Sequence, residues 1–253
     1  MPFGAPLKST SFRTLLRWVQ GDSGVPLGGC SYLELQVPVN PVAVKKILPM
    51  GMWLTDPPMA SLTANRYETF PLGGPFCESA LNLHVDSPWG KGLHCVWIVV
   101  DDDRSLLNGR DFMAYPKKMA DFSFRDTRDH ISVSISRHGE PLISMEADIL
   151  EREEHPAPCY GVKHFNMGGP GQFFFFSPLW AFVGKETIHL SHRVRGTLEL
   201  TESERDPLAN IISGAPVGGR FVKVDGHGVK YFLPLCVTGG PRWFSNSFSL
   251  RYR

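Results

Sequence analysis

Residues 109–122 read Gly109-Arg110-Asp111-Phe112-Met113-Ala114-Tyr115-Pro116-Lys117-Lys118-Met119-Ala120-Asp121-Phe122, and they set two adjacent lysines in an apolar segment rather than a solvated run of charge. The bland reading is a surface hairpin in which both lysine stems lie along the protein and both ammonium heads reach water. The flanks favour a different reading. A lysine attacks a ketone only as the neutral amine, and an unperturbed amine with a pKa of ~10.4 is only about 0.04% neutral at pH 7. Burial disfavours the ammonium form, so an apolar cavity wall is the environment that makes such an amine reactive. Successive side chains of an extended strand point to opposite faces. One lysine is therefore expected to enter a cavity, and the other to act through space or to anchor the strand.

Outward from this segment the periodicity says strand far more often than helix. Ser31 to Val37 alternates Tyr32, Glu34 and Gln36 against Leu33, Leu35 and Val37, the period-two pattern of a half-buried strand. Further strand-like runs occur at Ala60–Phe70, Phe76–Val85, Leu93–Val100, Asp121–Arg125, Ile131–Arg137 and Pro141–Leu150, divided by turn signals such as Leu72-Gly73-Gly74-Pro75, Ser87-Pro88-Trp89-Gly90 and His138-Gly139-Glu140. Strands resume at Thr187–Arg193, Gly196–Leu200, Gly219–Val224, Val229–Val237 and Phe248–Tyr252. Two short helices interrupt the pattern. One opens at Asn40-Pro41, a good N-cap followed by a residue tolerated at the first helical position. The other covers Asp101–Arg110, with acids at its start and Asn-Gly near its end. With no repeat and no low-complexity linker, residues 1–253 read as one β-rich domain. Ten or more strands demand closure into a barrel or packed sheets, since a single flat sheet leaves exposed edges.

The wider composition excludes several classes of function. The 26 basic and 25 acidic residues of this 253-residue chain nearly cancel, so nucleic acid has no electrostatic footprint to bind. The first twenty residues lack a signal-peptide pattern and no apolar run reaches membrane-spanning length, which predicts no membrane association and a cytoplasmic location. Five scattered cysteines without a CxxC pair suit buried structural thiols. No metal site is expected: His189 and His192 are three apart in a strand and face opposite sides. Asp101-Asp102-Asp103 reads as solvated acid at a helix start. Gly168-Gly169-Pro170-Gly171 lacks a phosphate-loop pattern, and no GxSxG elbow is present.

The lysine segment resembles the signature of the acetoacetate decarboxylase family, approximately Gly-Arg-Glu, a short variable stretch, then an aromatic or Gly residue before Pro-Lys-Lys and a small or apolar residue. Gly74-Pro75-Phe76-Cys77-Glu78 is similar to the family's Gly-x-Tyr-x-Glu, and His94–Asp103 to the strand that ends in a run of Asp. Gly196-Thr197-Leu198-Glu199-Leu200 and Asp206-Pro207-Leu208 look like its later elements, so the resemblance spans about Ser31 to Val237. It implies a mainly β (α+β) fold: a closed, double-layered, cone-like antiparallel β-barrel with a few short helices. It further implies a homo-oligomer and a cofactor-independent lyase acting on a small keto compound through a lysine Schiff base, for which acetoacetate decarboxylase is itself a known instance of an activated lysine. Lys117 matches the Schiff-base lysine, Lys118 its neighbour, and Glu78 a carboxylate that manages protons in the active site. Glu68 is compared with a second family carboxylate, against the alternative of an ordinary strand-end charge.

Two departures bear on the substrate. Cys30-Ser31 stands where family decarboxylases tend to carry Arg-Glu, and Asp111 replaces the signature Glu. The missing arginine, with Phe173–Phe176, Trp180 and Phe182, points to a β-keto acid larger or more apolar than acetoacetate. The same iminium serves an aldolase-dehydratase or cyclase acting on a larger keto compound. A non-catalytic barrel binding an apolar ligand is the third reading.

Overall fold

The computed structural model describes residues 27–70, 74–169, 171–173 and 175–253. The initial segment read for a signal peptide, the Leu72-Gly73 turn, Pro170 and Phe174 lie outside the described residues. Strand β1 (Leu27–Pro38) carries the alternation at Ser31–Val37, yet both of its faces are buried: Tyr32 and Glu34 on one side, Leu33 and Leu35 on the other. A half-buried strand was expected. The difference arises because β1 lies between a barrel lumen and a second layer of sheet.

The barrel is a closed ring of seven strands. In ring order these are β10 (His164–Met167), β5 (Gly92–Val100), β4 (Phe76–Asp86), β3 (Met59–Tyr67), β1, β12 (Gly218–Gly239) and β11 (Phe176–Leu200), and β10 closes the ring by pairing with β11. Two pairings in the sheet are parallel, β10 with β5 and the short β6 (Lys117–Met119) with β5. Parallel neighbours need a long crossover. From β5 to β6 the chain crosses over through the helix at Asp103–Asp111, and from β5 to β10 it also runs through β6, β7 (Asp121–Asp126), β8 (His130–Arg137) and β9 (Glu140–Arg152).

Those three strands form the second layer. β9 pairs with the distal half of β11, and Ile131, Val133, Ile135, Met145 and Ala147 cluster with Leu33, Leu35 and Leu62 on the outside of the barrel. Gly196, expected to begin a separate strand, lies within the 25-residue β11, where a side chain would overlap Leu35 of the inner layer. Likewise β12 is one bent strand where two were expected.

Helix α1 (Pro41–Ile47) is capped as its sequence indicates, with the Asn40 side chain accepting from the Val42 and Ala43 amides. Helix α2 (Asp103–Asp111) is capped by Asp102, whose Oδ1 accepts from Ser105 N at 2.8 Å. A one-turn α3 (Leu208–Ile211) precedes β12. The C-terminal segment corrects the sequence reading. Phe248–Tyr252, expected as a strand, belongs to α4 (Pro241–Tyr252), which starts with Pro in its first turn. Phe244, Phe248 and Tyr252 recur every four residues and pack ring to ring at 5.7 and 5.6 Å, while Trp243, Ser247 and Leu250 bury the opposite face. Five residues of aromatic alternation were too short a window to tell the two periods apart. Among the described residues no helix is long and apolar enough to cross a membrane.

Candidate active site

The Lys-Lys pair reaches the sheet by a turn built from local chemistry. After α2 the chain reverses at Ala114, whose φ of 61° lies in the left-handed region, and the Met113 carbonyl accepts from Asn166 Nδ2 at 2.8 Å. Tyr115 N donates to Gly109 O at 2.9 Å, and Pro116 leads into β6 beside β5, with Ile98 opposite Lys117 and Val99 opposite Lys118. Arg110 fixes the strand from below, donating from Nη1 to Lys117 O at 2.8 Å. Period-two alternation then sends the two amines apart. Lys117 faces the lumen with Ile98 and Ala80, and Lys118 faces outward with Val99.

Lys117 is buried, and its Nζ lies 2.6 Å from Glu78 Oε2 and donates to Ser105 Oγ at 2.9 Å. The Phe76 ring is 5.7 Å away. Glu78 comes from β4, two residues before Ala80, so it shares the lumen face. The backbone of the residue before it is tied down, with Cys77 N donating to Asp101 Oδ1 at 2.7 Å. Thus Asp101 is a tether for β4, and only its neighbour Asp102 caps the helix as the sequence suggested. Gly109 of α2 allows the Lys117 stem to lie against the helix, since a Cβ at this position would overlap its methylenes.

These groups open into a cavity of about 220 Å3 with largely apolar walls from Tyr67, Phe70, Phe76, Tyr115, Tyr160 and Phe182. Burial pushes the Tyr67, Tyr160 and Tyr115 phenols far above their ordinary range, so all three stay neutral. The Tyr160 hydroxyl lies 3.1 Å from Cys30 Sγ and 3.2 Å from Tyr67 Oη. Burial likewise raises the Cys30 thiol, which stands as a neutral group where the resemblance leads one to expect arginine. Among the described lining residues none is an arginine, and the charged ones are Glu78, Lys117 and Lys185. All five cysteines are free.

Lys118 occupies a different environment. Its Nζ lies 2.5 Å from Asp206 Oδ1 and donates to Ser249 O at 3.0 Å. Asp206 also accepts from Trp97 Nε1 at 2.7 Å and pairs with Arg137 at 2.5 Å. Desolvation brings the Lys118 amine down to about 8, against the opposing pull of Asp206.

Of the four residues singled out from the sequence, the structure brings Lys117 and Glu78 together and sets Lys118 on the reverse face. Glu68 lies outside the cavity: it follows the end of β3, is exposed, and pairs with Arg66 at 3.3 Å. The lumen position across from Glu78 on β3 is instead Asn65, buried, with no hydrogen-bond partner for its Oδ1 among the described residues. Ser105 and Asp206 were missed as partners of the two lysines. Ser105 had a local signal, three residues after a capping Asp, whereas Asp206 sits 88 residues from Lys118 and had none. Of the aromatics proposed to shape the pocket, Phe182 lines it. Trp180 stacks on Phe232 at 4.6 Å, while Phe173 and Phe175 are exposed. His189 pairs with Asp225, and His192 bonds the Leu150 carbonyl.

Comparisons with known proteins bear on the fold and the family. A family model described as acetoacetate decarboxylase matches residues 16–229. No curated protein matches the sequence. An acetoacetate decarboxylase from Legionella pneumophila superposes with a TM-score of 0.71 at 15% identity, over 84% of this chain and 87% of that one. The enduracididine biosynthesis enzyme MppR, complexed with the condensation product of pyruvate and imidazole 4-carboxaldehyde, superposes with a TM-score of 0.69 at 16% identity, over 81% of this chain and 87% of that one. At these identities the superpositions speak for the fold. With the family model covering most of its length, the chain belongs to the acetoacetate decarboxylase family.

Proposed function

We propose that the protein is a cofactor-independent lyase that decarboxylates a β-keto acid, larger or more apolar than acetoacetate, through a Schiff base on Lys117. The observation that carries this reading is the 2.6 Å contact between Lys117 Nζ and Glu78 Oε2 at the wall of an otherwise apolar cavity. Glu78 is placed to take the ammonium proton, leaving a neutral amine free to add to the substrate carbonyl. Loss of water from the carbinolamine forms the iminium, with Glu78 returning the proton to the departing oxygen. The β-carboxylate then leaves as CO2, and the electrons of its C–C bond flow into the iminium to give an enamine. Protonation of the enamine carbon and hydrolysis release the ketone and restore the amine. Ser105, hydrogen-bonded to Nζ, positions the nucleophile, and the tyrosine and phenylalanine walls keep water from the charged intermediate.

A second reading, an aldolase-dehydratase or cyclase using the same iminium, is favoured by one observation: the cavity has Cys30 nearby and, among the described residues, no lining arginine to orient a small β-keto carboxylate. The test follows CO2 release from a panel of β-keto acids with apolar substituents, alongside exchange of α-protons with solvent. CO2 release that disappears in Lys117→Ala is the expected result. Proton exchange without CO2 moves the assignment to the second reading, and the absence of both leaves a binding barrel.

A further inference from the structure

We propose that Lys185, at the lip of the same cavity, binds an anionic group of the substrate remote from the reacting carbonyl. The substrate class is then a β-keto acid whose reacting ketone lies at the buried end and whose apolar chain carries a second carboxylate, or a similar anion, at the solvent end. This rests on the Schiff-base reading of Lys117 and adds to it a second anion-binding position, apart from the one at Cys30.

Three observations converge on Lys185. The first is charge. Of the three charged lining residues, Glu78 and Lys117 offset each other at 2.6 Å, so the positive charge left over belongs to Lys185. Among the described residues Lys185 makes no ion pair, and its acidic neighbour is already engaged. The Glu186 carboxylate accepts from the amides of Cys159, Tyr160 and Gly161. The second is backbone geometry. In a regular strand Gly184 and Lys185 would face opposite sides, yet both line the cavity. The register with β12 slips there, from Gly184 opposite Val229 to Glu186 opposite Gly226, with the extra residue on β12, and such an irregularity breaks the strict alternation of faces. The third is the lining the two amines share. Leu27, Phe70, Phe182 and Val229 are apolar and offer nothing to hydrogen-bond a polar chain. Lys185 itself is exposed, so an anion bound there keeps part of its hydration while the attached chain is buried.

The experiment uses 5-oxohexanoate and 6-oxoheptanoate, which have no β-carboxylate to lose, and their methyl esters as uncharged counterparts. Each is trapped on the full-length protein with cyanoborohydride, and the ratio of acid to ester adduct is read by mass spectrometry. The wild type is expected to prefer the acids. Lys185→Gln should lower that ratio by about two- to fivefold, the scale of one exposed ion pair. Lys185→Glu should invert it, Lys185→Arg should retain it, and Lys45→Gln on the exposed face of α1 should leave it unchanged. An acid-to-ester ratio that is the same in wild type, Lys185→Gln and Lys185→Glu overturns the proposal while Schiff-base formation stands. If no probe is trapped on Lys117, the Schiff-base reading fails. Calorimetric binding of hexanoate against hexanamide then decides Lys185 alone: a hexanoate preference lost in Lys185→Glu supports it, and no dependence on Lys185 overturns it.

Discussion

Lys117 and Lys118 are covalent neighbours with opposite surroundings. On the lumen side, Lys117 meets one carboxylate, one hydroxyl and an open cavity. On the reverse side, Lys118 is closed in by Asp206 and the Ser249 carbonyl, with Arg137 on the same carboxylate. An amine with space in front of it can react, whereas an amine whose hydrogen bonds are all made within the fold holds structure together. The 180° alternation of a three-residue strand is enough to create that division.

The comparison breaks most visibly at Lys117. Lys117→Ala should lower turnover by a factor on the order of 10⁴ or more, since the nucleophile is gone, while circular dichroism shows the fold retained. Asp206→Ala strikes the other side. It leaves Lys118 and Arg137 buried without their shared counter-charge and should cost about 3–5 kcal/mol in denaturant unfolding. A smaller effect is expected for Gly109→Ala, whose added methyl pushes the Lys117 stem away from α2. Its trapping rate should fall about 10- to 100-fold, because displacement of a reacting group by a fraction of an ångström is expensive, with only a modest loss of stability.

The smallest effect lies at the parallel pair β5–β10. Burial lowers both His94 and His164 to about 4, so each is neutral in the folded protein at pH 7. Unfolded histidines take up protons near pH 6.5. Between about pH 6.5 and 4 the unfolded state therefore binds more protons, and stability falls as the pH drops through that window. Thermal unfolding should show a loss on the order of 1–2 kcal/mol per histidine by pH 5, reduced in His94→Gln. His164 contacts Tyr115 and Phe182 on the lumen side, whereas His94 bonds the Phe165 carbonyl across the pair. Acid should thus loosen both strands of the β5–β10 pair together.

Much of this division was legible in the sequence, because it depends on local alternation. The apolar flanks of Lys117-Lys118 predicted that one of the two enters a cavity, the resemblance to the acetoacetate decarboxylase family implied that it is Lys117 beside Glu78, and the period-two runs identified most of the strands. Longer-range features were hidden. Both faces of β1 are buried because a second layer covers it, and the pattern at Ser31–Val37 records the two faces without saying what lies against each. Glu68 and Asn65 differ by three positions on one segment, and only the pairing of β3 with β4 places Asn65 opposite Glu78. Asp206 joins Lys118 across most of the barrel, a contact no spacing rule predicts. The irregularity at Lys185 depends on how β11 and β12 slip past each other, and that slip is a property of the paired strands.

The central claim is that reactivity belongs to Lys117 and structure to Lys118. Incubation with keto acids and sodium borohydride, followed by peptide mapping, tests it most directly. The account predicts one reduced adduct, on Lys117, absent in Lys117→Ala and retained when Lys118 is changed to Met. An adduct on Lys118, a scatter of surface lysines, or no adduct with any carbonyl compound would contradict it.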